Sequence, residues 1–353
     1  MSVFLLLLTG ALATAARARW SAEEAFRFVS TSLALGYSDV TTARQLRNVD
    51  LTQRLTDEPI ELLKRQGVGP LTVRVLEGLR VRSSSLEPPA GPIVTMGPPP
   101  SETEVKTVLR RVSEYSSNYV RLLPDFSCQQ TTRFYTYRAR LGSAGDVQLA
   151  PGAPSQLGKD LHLEKTVVEE LEYYQGQERY RTKLVDNKPD NRPVRLDTAP
   201  IISRGELGTL LRAIFDKSSG AQFRWDHGEV LHGHRVEAFS YDVDRAHSQL
   251  RVCCREVGPK TFFPAYGGVV YVDPDSGAVV RLELRYTGFQ PRDPFRDARI
   301  LLDYAQFEVG GKTYWLPARS VMTARSDEFQ ARSEMDFSNY RKFQADSTIK
   351  FGP

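Results

Sequence analysis

Polar and apolar residues alternate with a period of two along most of the chain after residue 160, the spacing of half-buried β-strands. Glu164–Tyr174 and Glu178–Val185 flank Gln175-Gly176-Gln177, which reads as a hairpin turn. Further strands are expected at Phe223–Val230, Val236–Val243 and Gln249–Arg255. Val269–Val272 leads through Asp273-Pro274-Asp275-Ser276-Gly277, a turn by its Pro and Gly, into Val279–Leu284. Ile300–Val309 meets Thr313–Ala324 across Gly310-Gly311-Lys312, and Phe329–Tyr340 closes the series. About eleven strands joined mainly by hairpins form an antiparallel sheet, and one of that length does not stay flat. The fold class is mainly β (α+β), with strong sheet curvature.

Helical spacing appears in three places. Ser101 and Glu104 open a helix carrying Val105, Val108, Leu109, Val112 and Tyr115 on one face, which Pro124 ends. Ser203 and Glu206 cap a second, bearing Leu207, Leu210, Leu211, Ile214 and Phe215. These two are the expected covering helices of the sheet. The third place is a small helical unit from Trp20 to Arg82. There Ser21 and Glu24 form a capping box, Gly36 closes the first helix, Asp57 and Pro59 start another, and Gly67-Val68-Gly69-Pro70 turns into a last one.

Between the unit and the sheet lies a run rich in Pro, Ser and Gly, from Ser83 to Pro100. Its proline pairs favour an extended, stiff conformation that would hold the unit at a distance. Leu141–Lys159 reads as a mobile loop. The expected division is residues 1–18 as a signal peptide, 19–82 helical, 83–100 linker and 101–353 β domain.

The signal peptide rests on Val3–Leu8, unbroken apolar, followed by small residues in which Ala13 and Ala15 fit a cleavage site. No Lys or Arg precedes the run, and a buried helix is the competing reading. The run is too short to span a bilayer of ~30 Å, and no later stretch is apolar enough. The expected compartment is periplasmic or otherwise extracytoplasmic. With 47 basic and 43 acidic residues, the net charge of +4 is small and scattered, unlike the basic stripe of a nucleic-acid binder.

Candidate chemistry is sparse. Cys128 and Cys254 each fall on an apolar strand face. Two readings stand side by side: a Cys128–Cys254 disulfide that leaves Cys253 free, or three reduced thiols acting as small hydrophobes. His227, His232 and His234 cluster near Asp226, but their glycine neighbours suit a strand edge and turn better than zinc. The Gly67-Val68-Gly69 turn resembles a helix-hairpin-helix element, whose amides can hold a DNA phosphate. Neither a nucleophile elbow nor a phosphate loop, zinc-protease helix or dinucleotide fingerprint is present in the sequence. The expectation is a non-enzyme without cofactor, metal or nucleic-acid partner. Strand aromatics such as Phe239, Tyr241, Tyr286 and Tyr304 either fill a core or line a cavity.

The helix Val105–Leu122 running into Phe126-Ser127-Cys128-Gln129-Gln130-Thr131, and the strand pair Val270–Gly277 and Val280–Glu283, resemble the LolA/LolB-like periplasmic lipoprotein-carrier superfamily. The resemblance covers roughly residues 101–351 and excludes the helical unit and linker. It implies an open half-barrel under covering helices that binds acyl chains in its concavity and catalyses nothing. The chain is also similar to a group of exported proteins bearing Leu123-Pro124-Asp125-Phe126-Ser127-Cys128 and a closing Asn339-Tyr340-Arg341-Lys342-Phe343. The implied function is an exported binding protein holding a lipid, acyl chain or lipoprotein on the concave face. The alternative is an envelope scaffold or sensor that docks a protein partner through its helical unit. No individual ligand-binding residue is assigned by either.

Overall fold

The computed structural model describes residues 17–95, 99–138, 161–194, 199–231, 233–252, 262–291, 293, 295–327 and 329–342. The N-terminal apolar run, the Leu141–Lys159 loop, His232, Cys253 and Cys254 lie outside these residues. Among the described residues no helix is long and apolar enough to cross a membrane.

The helical unit comprises β1 (Ala18–Trp20), α1 (Ala22–Ala34), α2 (Asp39–Leu46), β2 (Val49–Leu51), α3 (Asp57–Arg65) and α4 (Pro70–Arg82). The Ser21–Glu24 capping box forms as expected. The parallel pairing of β1 with β2 has no signal in the local sequence pattern. Ala25, Phe26, Val29, Leu46, Ile60, Leu63, Leu76 and Leu79 make the unit's core.

The linker does not hold this unit away. Val94–Thr95 forms β3 and pairs with the sheet, while Ile93 and Val94 are buried in the unit's own core. Burial of these two aliphatic side chains draws the end of the linker onto the unit.

The remaining elements are α5 (Glu102–Leu122), β4 (Phe126–Arg138), β5 (His162–Tyr174), β6 (Gln177–Val185), β7 (Lys188–Pro189), α6 (Thr209–Phe215), β8 (Gln222–Leu231), β9 (His234–Val243), β10 (Ala265–Val272), β11 (Val279–Thr287), β12 (Asp297–Val309), β13 (Lys312–Arg325) and β14 (Phe329–Lys342). Apart from the β1–β2 pair, the described strands form one antiparallel sheet of 12, ordered β3-β8-β9-β10-β11-β12-β13-β14-β4-β5-β6-β7. The sheet is curved and does not close on itself, since its two ends are the two-residue strands β3 and β7. This is the half-barrel expected, with α5 and α6 as its covering helices.

Two expected elements differ. The strand around Gln249–Arg255 is, over its described part, a single bridge between Val252 and Phe262. The helix expected after Ser203 begins only at Thr209: Gly205 and Gly208 take φ of 121° and 123°, outside the helical region, and the Glu206 carboxylate accepts from the Ser320 hydroxyl at 3.2 Å rather than capping.

Strand alternation gives the sheet two covered faces. On the inner, concave face Tyr241, Tyr286, Ile300, Leu302, Tyr304 and Met322 pack with α5 and α6. On the outer face Leu301 and Val321 pack against Leu35 at the end of α1. The helix's last carbonyls, which lack partners within a helix, are met from the sheet. Arg299 donates to Leu33 O at 2.9 Å, and the Thr323 hydroxyl to Leu35 O at 3.2 Å. Gly36, at φ 74°, makes room for this, since a Cβ there would stand 2.8 Å from the Arg299 guanidinium.

Candidate functional site

The inner face is where the sequence placed a ligand. Most of it is packed. Phenol groups tie the cover to the sheet by donating to backbone carbonyls: Tyr119 to Trp315 O at 2.9 Å, Tyr173 to Val120 O at 3.0 Å, Tyr266 to Ala213 O at 2.7 Å and Tyr304 to Glu206 O at 3.2 Å. Each buried hydroxyl is therefore satisfied, as burial requires. The strand aromatics thus mainly fill the core.

Space is left at one end. A cavity of about 210 Å³ lies between α6, the segment 249–252 and strands β11 to β13. Leu210, Val252, Tyr286, Ile300 and Met322 give it apolar walls, and Ser203, Arg204, Thr209, Gln249 and Arg251 make the rest of its lining polar. Its residues come from separate stretches of chain, so no local motif marks it.

The segments singled out around Phe126–Cys128 and Asn339–Lys342 meet strand to strand. Arg341 pairs with Ser127 and Lys342 with Phe126, across a bulge that sets Asn339 and Tyr340 opposite Cys128. The Arg341 guanidinium donates to the Ser127 hydroxyl and to Glu170, both at 3.0 Å. Phe126 stacks on Tyr173 at 5.3 Å and meets Tyr340 edge-on at 5.4 Å. These contacts close the sheet between its last strand and β4, a structural task. Cys128 is buried beside the Tyr340 phenol, and burial pushes its thiol up to about 12. Its pairing with Cys254 is a proposal that non-reducing peptide mapping tests.

The histidines go separate ways. His234 meets Trp315 edge-on at 5.0 Å. A bulge in β8 between Trp225 and His227 sets His227 against Tyr271, with 1% of its surface exposed. Nδ1 is 2.7 Å from Asp226 and Nε2 3.3 Å from Glu229, so carboxylates hold both ring nitrogens. Glu229 in turn accepts from Arg27 of α1 at 2.5 Å. Among the described residues no three His, Cys, Asp or Glu side chains are placed to hold a metal ion. At the glycine turn, the seat for an anion is taken from within: the Asp39 carboxylate accepts from the Leu71 and Thr72 amides at 2.9 and 2.8 Å.

Outer-face charges carry two marked shifts. Burial disfavours the His227 imidazolium, but its hydrogen bonds to Asp226 and Glu229 outweigh that and raise it to about 9. Burial raises the Glu283 carboxyl to about 7, against the opposing pull of Arg281 and Tyr271. Both groups hold a proton more tightly in the folded chain, so both make stability fall as pH rises. Glu283 contributes the loss between its ordinary 4.5 and about 7. The contribution of His227 is fully present below 6.5 and is lost through about 9. Thermal melts are expected to show Tm declining from about pH 5 to pH 9, with His227→Gln flattening the upper half. A Tm that rises over that range contradicts the assignment.

Neither a family model nor a curated protein matches the chain. Solved structures do. A DUF1329 family protein from Desulfovibrio piger is 12% identical over 70% of this chain and 95% of its own, with a TM-score of 0.30. A putative outer membrane lipoprotein-sorting protein domain from Vibrio parahaemolyticus is 11% identical over 69% and 94%, at a TM-score of 0.30. A LolA superfamily protein from Nitrosomonas europaea is 10% identical over 70% and 97%, at 0.25. The case for function rests on the chain's own geometry.

Proposed function

We propose that this chain is an extracytoplasmic, non-enzymatic binding protein that holds the apolar end of an acyl-type ligand under the concave face of its sheet. The observation that carries the reading is the cavity of about 210 Å³ left between α6 and the concave face. An apolar cavity of roughly 150 Å³ already admits benzene, so this one suits a short acyl or aryl group. It lies below the roughly 300–1,000 Å³ of sites that swallow a whole drug-sized molecule. The rest of a longer ligand would lie outside it. The Ser203, Thr209, Gln249 and Arg251 side supports a ligand with a polar head. The extracytoplasmic placement rests on the N-terminal apolar run.

Met322 is 3% exposed and faces the cavity. Met322→Phe fills part of the space with a side chain the core tolerates at a cost of about 1–3 kcal/mol or less. Titration with N-phenyl-1-naphthylamine, a neutral fluorescent aryl probe, is expected to show saturable binding to the wild type. Affinity should weaken roughly tenfold or more in the variant, about 1.4 kcal/mol. Equal binding by both proteins, or by neither, counts against the reading.

A second reading, the envelope scaffold docking a protein partner, is favoured by one observation: the tyrosine ties fix α5 and α6 to the sheet. Absence of probe binding moves the conclusion there.

A further inference from the structure

A larger space lies on the opposite face. Between α1 and the outer side of β11 to β14 runs a cleft of about 560 Å³. Its apolar half is made by Phe28 and Leu35 of α1 above Leu301 and Val321 of the sheet. The other half is charged, and two arginines there hold donors without acceptors. Arg281, 4% exposed, gives its Nε–H to Asp303 at 2.6 Å, yet its Nη1 is buried with no hydrogen-bond partner among the described residues. Arg27 gives Nη1 to Glu229, while its Nε and Nη2 are likewise buried and without partners. Glu23, the nearest further acid to Arg27, stands 3.6 Å away.

Buried guanidinium N–H groups are strong donors whose desolvation is offset only by an acceptor. Of the wall's acids, Asp303 serves Arg281 Nε, Glu334 serves Arg319 and Arg332, and Glu24 caps α1 at Ser21; Glu23 faces Arg27 Nε only as an ion pair at 3.6 Å, beyond hydrogen-bond reach. An incoming oxygen is therefore the acceptor this cleft lacks, and a planar carboxylate matches the guanidinium fork best. We propose that the cleft between α1 and the outer face is a second binding site, for a carboxylate that carries an apolar chain. The head sits at Arg27 and Arg281, and the chain lies along Phe28, Leu35, Leu301 and Val321. This site is independent of the inner cavity and uses none of its residues.

The test is calorimetric titration of the full chain with decanoate, and with decanol as the neutral counterpart. Arg27→Lys keeps the charge beside Glu229 but removes the fork, and Val321→Trp fills the floor. Saturable decanoate binding is expected in the wild type and in Met322→Phe. Arg27→Lys should weaken it roughly ten- to a hundredfold, the worth of a charge-assisted hydrogen bond, while leaving decanol unchanged. Val321→Trp should abolish it. Three results overturn the proposal: no decanoate binding, binding that Arg27→Lys and Val321→Trp leave intact, or binding lost only in Met322→Phe. The last assigns the acid to the inner cavity, so the two sites stand or fall separately.

Discussion

Gly268→Ala leaves little or no folded protein to purify. Gly268 sits in the middle of β10, between Tyr241 of β9 and Leu284 of β11. A Cβ there would lie 1.9 Å from the Glu283 carbonyl oxygen and 3.2 Å from the Leu284 Cα. The obstacle is backbone, which cannot swing aside as a long side chain does. Glycine within a strand marks such close approaches. Relief requires β10 and β11 to part along their paired length. The loss should exceed about 4 kcal/mol, the range reserved for severe steric or core defects. Gly91→Ala is the control, because nothing lies within 4 Å of where its methyl group would stand, and it should be neutral within about 0.5 kcal/mol. Soluble yield and far-UV circular dichroism compare the two.

Asp303→Ala should cost about 3–5 kcal/mol, the usual penalty for leaving a buried charge without its partner. The Arg281 side chain is 5% exposed and that of Asp303 15%, at 2.6 Å. The cost depends on pH. Glu283 is the next carboxylate bearing on Arg281, and it is protonated below about 7. Loss of Asp303 strengthens the pull of Arg281 on Glu283, so above neutrality an ionised Glu283 partly replaces the missing charge. Urea unfolding should therefore find the variant's deficit larger near pH 5.5 than near pH 8. The double variant Arg281→Met/Asp303→Leu should recover most of the loss, since well-packed apolar pairs often match buried ion pairs. Equal deficits at both pH values would show that Glu283 does not couple to this pair.

The hairpins were legible because their signals are local. Val269–Leu284 alternates around a Pro-Gly turn, and the Gly310-Gly311 turn joins the two strands on either side, so register followed from adjacent residues. Elements set by distant partners were not legible. Val94 and Thr95 form β3 only because β8 offers an edge. The Ser203–Glu206 spacing reads as a cap, but Ser320, over a hundred residues on, claims the glutamate. Arg299, Thr323 and Arg332 alternate with apolar residues, as solvent-facing positions do. They instead meet the end of α1, with Arg332 donating to the Tyr37 hydroxyl at 2.6 Å. For the same reason the cleft arginines went unmarked: a charged residue at period two reads as exposed unless the sequence says what covers it. Whether the inner-face aromatics fill a core or line a cavity was not legible, because packing volume depends on how side chains from separate strands interdigitate.

Native mass spectrometry of the chain, purified gently from an exporting host, tests the binding function most directly. Added mass that organic solvent removes is expected, with reduced occupancy in Met322→Phe. A bare mass that does not shift when amphiphiles are added would contradict it.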